Sequence, residues 1–147
     1  MCLEASSFKE LKDGKGIGYK IVENTVERNV FHNIWHFFQK DGHGGAKDKE
    51  HADDFYTSVL KYKIGRKYKV RHDRIAFAHT DEEYGDLFEK YTYPAGVHLY
   101  IERDYARMKM KGFGYSVVAF GYNRAVARDA NTIVAMEVEP LEIIESK

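Results

Sequence analysis

Phe113-Gly-Tyr-Ser-Val-Val-Ala-Phe-Gly-Tyr122 is the stretch on which the fold turns. Its apolar side chains fall at odd and even positions alike. An extended chain with that pattern buries both faces and belongs in the middle of a sheet. Just upstream, Glu102 to Lys111 predicts a helix: Glu102 and Asp104 sit in its first turn and Lys109 and Lys111 in its last, which suits the helix dipole. Ile101, Tyr105 and Met108 mark its buried stripe, and Gly112 can end it. Val97 to Ile101 follows a Pro94-Ala95-Gly96 turn and predicts a strand. The strand–helix–strand unit from Val97 to Tyr122 suits a right-handed crossover between parallel strands. Downstream, Thr132 to Glu139 and Leu141 to Ile144 predict two more strands, parted by Pro140.

Toward the N-terminus, Gly16 to Glu23 predicts a first strand. Asn24-Thr-Val-Glu27 has the form of a capping box, and Val26, Val30, Ile34 and Phe37 follow at helical spacing. These signs predict a helix over 25–39 stopped at Asp41-Gly42, while the aromatic crowding of Val30 to Phe38 keeps a strand or hairpin open as the alternative. Gly42 to Asp54 is glycine-rich, highly charged and a loop. Phe55 to Val70 predicts one or two strands with a bend or bulge at Gly65, and Arg74 to Thr80 a short one. Asp81 to Tyr91 predicts a short acidic helix, with Tyr84, Leu87, Phe88 and Tyr91 on one side. The 147 residues are enough for one core and few for two, so the expectation is a single α+β domain over 1–147. Its architecture would be a curved, mostly antiparallel sheet carrying two or three short helices.

Charge is where a partner first shows. The chain is neutral, yet Lys61 to Arg74 holds seven Lys or Arg against Asp73 alone, and Asp81 to Glu89 holds five acids and no base. Lys61-Tyr-Lys-Ile-Gly-Arg-Lys-Tyr-Lys-Val-Arg71, if extended, gathers Lys61, Lys63, Lys67, Lys69 and Arg71 on one face. Tyr62, Ile64, Arg66, Tyr68 and Val70 then fall on the other. Lysines also protect edge strands, so a solvated edge competes with an anion-binding face. Nucleic acid is disfavoured as a partner by neutrality and by the acidic C-terminal strip Glu137, Glu139, Glu142 and Glu145.

Other residue groups bear on chemistry. His32 and His36 have a zinc-chelating spacing on a helix but no glutamate directly after His32, so no metal site is expected. Gly42-His43-Gly44-Gly45 lacks the pattern of a phosphate loop. His98 precedes a helix and, with Arg103, can contact a ligand near that helix's start; a histidine satisfied by the sheet is the structural alternative. Arg107 lies one turn beyond Arg103. Glu137-Val138-Glu139 resembles the Glu-x-Glu end of some ADP-ribosyltransferases, Tyr56-Thr57-Ser58 echoes their Ser-Thr-Ser strand, and Arg28 would be the nucleotide-contacting arginine. No Ser–His–Asp or Cys–His set can be assembled. The single cysteine, Cys2, excludes a disulfide within the chain. No secretory leader and no run of ~20 apolar residues is visible, so cytoplasm is expected and membrane is not.

Several blocks, taken in order, resemble a group of small phage and bacterial proteins of no established activity. They are Gly18-Tyr19-Lys20-Ile21-Val22, Tyr62-Lys63-Ile64-Gly65-Arg66-Lys67-Tyr68, Gly96-Val97-His98-Leu99-Tyr100, Val117-Val118 and Glu139-Pro140-Leu141-Glu142-Ile143-Ile144. Val97 stands where that group has phenylalanine and Tyr105-Ala106 where it has Asp-Ala, and Val26 to Asp54 has no counterpart. The resemblance implies a phage or mobile-element origin and carries no catalytic residue across. The residues and the resemblance together lead to an expectation of a non-enzymatic binding protein, with no cofactor, that captures a small anionic, nucleotide-like ligand and so antagonises host defence. The ligand-binding set would be Lys61, Lys63, Lys67, Lys69, Arg71, Tyr62, Tyr68, His98 and Arg103. A homo-oligomer would close such a site between subunits. A host-protein interaction module and an ADP-ribosyltransferase-like enzyme are the alternatives.

Overall fold

The computed structural model describes residues 3–33, 61–70, 75–78 and 92–147. Three long strands carry the fold: β1 (Lys9–Asn24), β8 (Tyr115–Arg128) and β9 (Thr132–Ser146). Between them come β2 (Val30–Asn33), β3 (Lys61–Lys63), β4 (Tyr68–Lys69), β5 (Ile75–Phe77), β6 (Thr92–Pro94) and β7 (Val97–Tyr100). Among the described residues the only α-helix is α1 (Arg103–Lys109).

The expected α+β class is therefore corrected to a mostly-β protein. The capping box at Asn24 does not start a helix. The Thr25 hydroxyl accepts from the Glu27 amide at 3.1 Å and donates to the Val30 carbonyl at 2.8 Å, which folds the chain back into strand β2. Asn29 takes a left-handed φ of 64° to complete that turn. Capping boxes and tight turns use the same side-chain-to-backbone bonds, so the motif fits either. The rest of the predicted 25–39 helix and the Asp81 to Tyr91 helix lie outside the described residues.

All the strand ladders are antiparallel. β8 is central as its sequence requires, paired with β1 on one side and β9 on the other. β7 pairs with β9 and, through Tyr19 opposite Tyr100, with β1. These four strands thus close a ring. Gly18 permits the closure, because a Cβ there would lie 2.8 Å from that of Leu99. β7 and β8 run the same way but never pair, so α1 crosses over intervening strand rather than joining parallel neighbours. Pro140 does not split β9 in two. It is buried within the strand, opposite Phe120 at a register shift of the kind that tolerates proline.

Inside the ring, Val22, Val97, Leu99, Val118, Phe120 and Ile133 form the core. The stretch from Lys61 to Val70 straps this core. β3 hangs on β2 and β4 on β9, and the turn between them is fixed by the Gly65 amide on the Pro140 carbonyl at 2.8 Å. Tyr62 is fully buried, with its ring 4.9 Å from that of Phe120 and 5.3 Å from that of Tyr68. Asp129 pins the β8–β9 hairpin, accepting from the amides of Asn131 (2.8 Å) and Thr132 (2.7 Å), and holds the Glu4 amide at 2.8 Å. Among the described residues no helix is long and apolar enough to cross a membrane.

A groove on the outer face of the long strands

The outer face of β1, β8 and β9 has two halves. One is covered: Ala106 of α1 and Met110 just after it pack on Val117 beside Tyr19, Ile21 and Ile144, and Arg107 Nε reaches Glu145 Oε2 at 3.5 Å. The other half is an open groove of about 720 Å³. Register explains its shape. Ile17, Gly121 and Glu139 lie side by side across the three strands and share a face. Gly121 leaves a trough between Ile17 and Leu141, both substantially exposed. One step along, Asn123, Glu137 and Lys69 form the next row, and Lys69 Nζ bonds Glu137 Oε1 at 3.2 Å. Lys15 stands at the β1 side and Lys67 at the β4 side.

This groove holds only part of the anticipated ligand set. Lys67, Lys69 and Tyr68 line it. Lys61 and Lys63 do not, because the alternation ends at Gly65, whose φ of 87° turns the chain. They are exposed on edge strand β3, as an edge-protecting pair would be. Lys61 borders a smaller hollow of about 400 Å³ with Glu23, Glu27 and His32. Tyr62 is sealed in the core. Tyr68 also packs on the core, and its hydroxyl accepts from the Lys63 amide at 2.7 Å. Arg103 is exposed at the start of α1, and Arg71 lies outside the described residues.

His98 belongs to the interior. The Gly96 carbonyl can only accept, so His98 Nδ1 carries the proton between them at 3.2 Å. Nε2 then accepts from the Tyr93 hydroxyl, also at 3.2 Å. Burial, followed by neighbouring positive charge that includes Lys20, pushes the imidazole down to about 3, so it is neutral at pH 7. Lys20 is itself buried and donates to the His98 carbonyl at 3.2 Å; burial lowers its amine to about 8.

Sequence reasoning missed Lys15, Ile17, Gly121, Asn123 and Leu141, which come from three separated strands and meet only through register. Of the transferase-like signals, Glu137 and Glu139 do line the groove, with Glu137 engaged by Lys69. Arg28 lies in the turn after β1, and Tyr56-Thr57-Ser58 falls outside the described residues. His36 does as well. Among the described residues no three His, Cys, Asp or Glu side chains gather as a metal site. Compared with known proteins, the chain matches no family model, no curated protein and no solved structure.

Proposed function

We propose that the protein is a non-enzymatic binding domain that captures a small anionic, nucleotide-like ligand in the groove above Gly121. The observation that carries this reading is the convergence of lysines from distant parts of the chain, Lys15 and Lys67, at the margins of one glycine-floored trough. Among the described residues neither lysine has an ion-pair partner. An anion gains from both, while Lys69 is already balanced by Glu137. A flat ring fits between Ile17 and Leu141 over Gly121, where apolar contact replaces the tyrosine stacking anticipated from sequence. The Glu139 carboxylate beside the trough can accept from ligand hydroxyls. In a phage such capture would withdraw a nucleotide-type signal from the host.

The test is mass spectrometry of what leaves the purified protein on denaturation, with thermal shifts against a nucleotide panel. A released nucleotide-like anion is expected, with its capture abolished in Gly121→Leu. No released ligand and no shift from any nucleotide would overturn the reading.

One observation favours a protein-binding role as the second reading. Phe113 is 91% exposed between Gly112 and Gly114, whose φ angles are 91° and 89°. An aromatic presented on a turn in this way suits an anchor for a partner's pocket.

A further inference from the structure

Backbone strain marks one end of the groove. The β1–β8 ladder runs from Gly16 opposite Tyr122 to Gly14 opposite Ala125. Asn123 and Arg124 together therefore face the single residue Lys15, which makes a bulge in β8. Arg124 has a left-handed φ of 54°. The other described residues with positive φ are glycine, asparagine or aspartate, the types that tolerate it. Arg124 alone places a long side chain there. Its amide donates to Asn123 Oδ1 at 3.0 Å, which leaves Asn123 Nδ2 as that side chain's remaining donor group.

Packing does not explain the arginine: its side chain is exposed and, among the described residues, has no ion-pair partner. Glycine at this position would relieve the backbone. What arginine supplies instead is a planar fork of donors matched to phosphate. Lys15 lies across the ladder from the bulge; Lys15 and Asn123 line the groove, and Arg124 follows Asn123 directly in the bulge at that end. Asp13, the nearest acid along β1, has its own left-handed φ of 53° at the adjoining register shift. The remaining acid of this row, Glu137, is engaged by Lys69.

We infer that the β8 bulge, through Arg124, Lys15 and Asn123, is the phosphate-holding end of the groove, with the rest of the ligand lying over Gly121. This rests on the ligand-capture reading and assigns the ligand's orientation within it. Arg124 is kept in a conformation unfavourable for arginine because its guanidinium binds the anion.

Stability and binding should therefore move in opposite directions in Arg124→Gly. The variant is expected to unfold at higher urea than the wild type while its affinity for ATP and for pyrophosphate falls by about tenfold or more. Arg124→Lys, which keeps charge and loses the fork, should fall between them. Gly121→Leu separates the two ideas, since it blocks the trough and leaves the bulge intact: it should lose ATP and keep pyrophosphate. ATP binding that is sensitive to Gly121→Leu but unchanged in Arg124→Gly would overturn the phosphate assignment and leave the groove reading standing. If the wild type binds neither probe, the groove reading falls and the assignment with it.

Discussion

The two sides of the β1–β8–β9 sheet handle polar groups in opposite ways. On the inner side Lys20 is buried and donates to the His98 carbonyl. On the opposite face of β7 from Leu99 the His98 ring is buried and bonded to Tyr93 and the Gly96 carbonyl. Burial disfavours the charged forms of Lys20 and His98. On the outer side Lys15 and Lys67 border the groove, and they and Arg124 of the bulge are exposed and without ion-pair partners among the described residues. Buried polar groups must be satisfied within the fold because unmet ones are costly. Exposed cations gathered at a groove cost little and stay available to a ligand. The inner groups should accordingly govern stability and the outer ones binding, and substitution can break that division.

Acid should give the largest effect. His98 is lowered from 6.5 to about 3, so between those values the unfolded chain takes up a proton that the folded chain refuses. The His98 contribution is constant above pH 6.5 and lowers stability as the pH drops toward 3, by about 5 kcal/mol at most. Urea midpoints measured from pH 8 to pH 4 should show the decline, and His98→Gln should flatten it. A wild-type profile level down to pH 4 would mean that the imidazole is not sealed as described.

Lys20 gives the next effect, with the opposite consequence for mutation. Its folded value of about 8 lies below the ordinary 10.5, so holding the charged amine costs stability in full below pH 8. That cost fades as the pH rises from 8 to 10.5. Lys20→Met should raise stability at pH 7 by up to about 3 kcal/mol, less the lost bond to the His98 carbonyl, and the gain should vanish by about pH 10.5. Denaturation of both proteins at pH 7 and pH 10.5 checks it. Loss of stability at pH 7 would show that the amine contributes more than its burial costs.

The smallest effect should come from the groove. Lys15→Gln, Lys67→Gln and Gly121→Ala are expected to leave stability within about 0.5 kcal/mol of the wild type. A Cβ on Gly121 would meet Leu141 at 3.5 Å, an ordinary contact, so even that glycine is not needed for packing. A large loss in any of these variants would make the groove part of the core's support and erase the contrast between the faces.

The same contrast explains what could be read from the chain. β8 was legible because its stretch from Val117 to Phe120 is buried on both faces and apolar throughout, and α1 because its charges follow the dipole. The strap was half legible. Lys61, Tyr62 and Lys63 do alternate, but Gly65 was a turn rather than an interruption in a longer strand, since its left-handed φ is invisible in a residue that adopts any. His98 reads identically as a ligand contact or as a buried, satisfied histidine until Tyr93 and Gly96 are placed around it. The groove was least legible. Lys15, Gly121 and Leu141 are far apart in sequence, and Arg124 carries no local signal, because a bulge exists only relative to the neighbouring strand.

The most direct test of the central claim is a calorimetric titration of ATP into the wild type and into the Lys15→Gln plus Lys67→Gln double variant, with urea midpoints taken on the same samples. The account predicts saturable, salt-sensitive binding to the wild type, its loss in the variant, and superimposable unfolding curves. Equal binding by both proteins, or no binding by either, would contradict it.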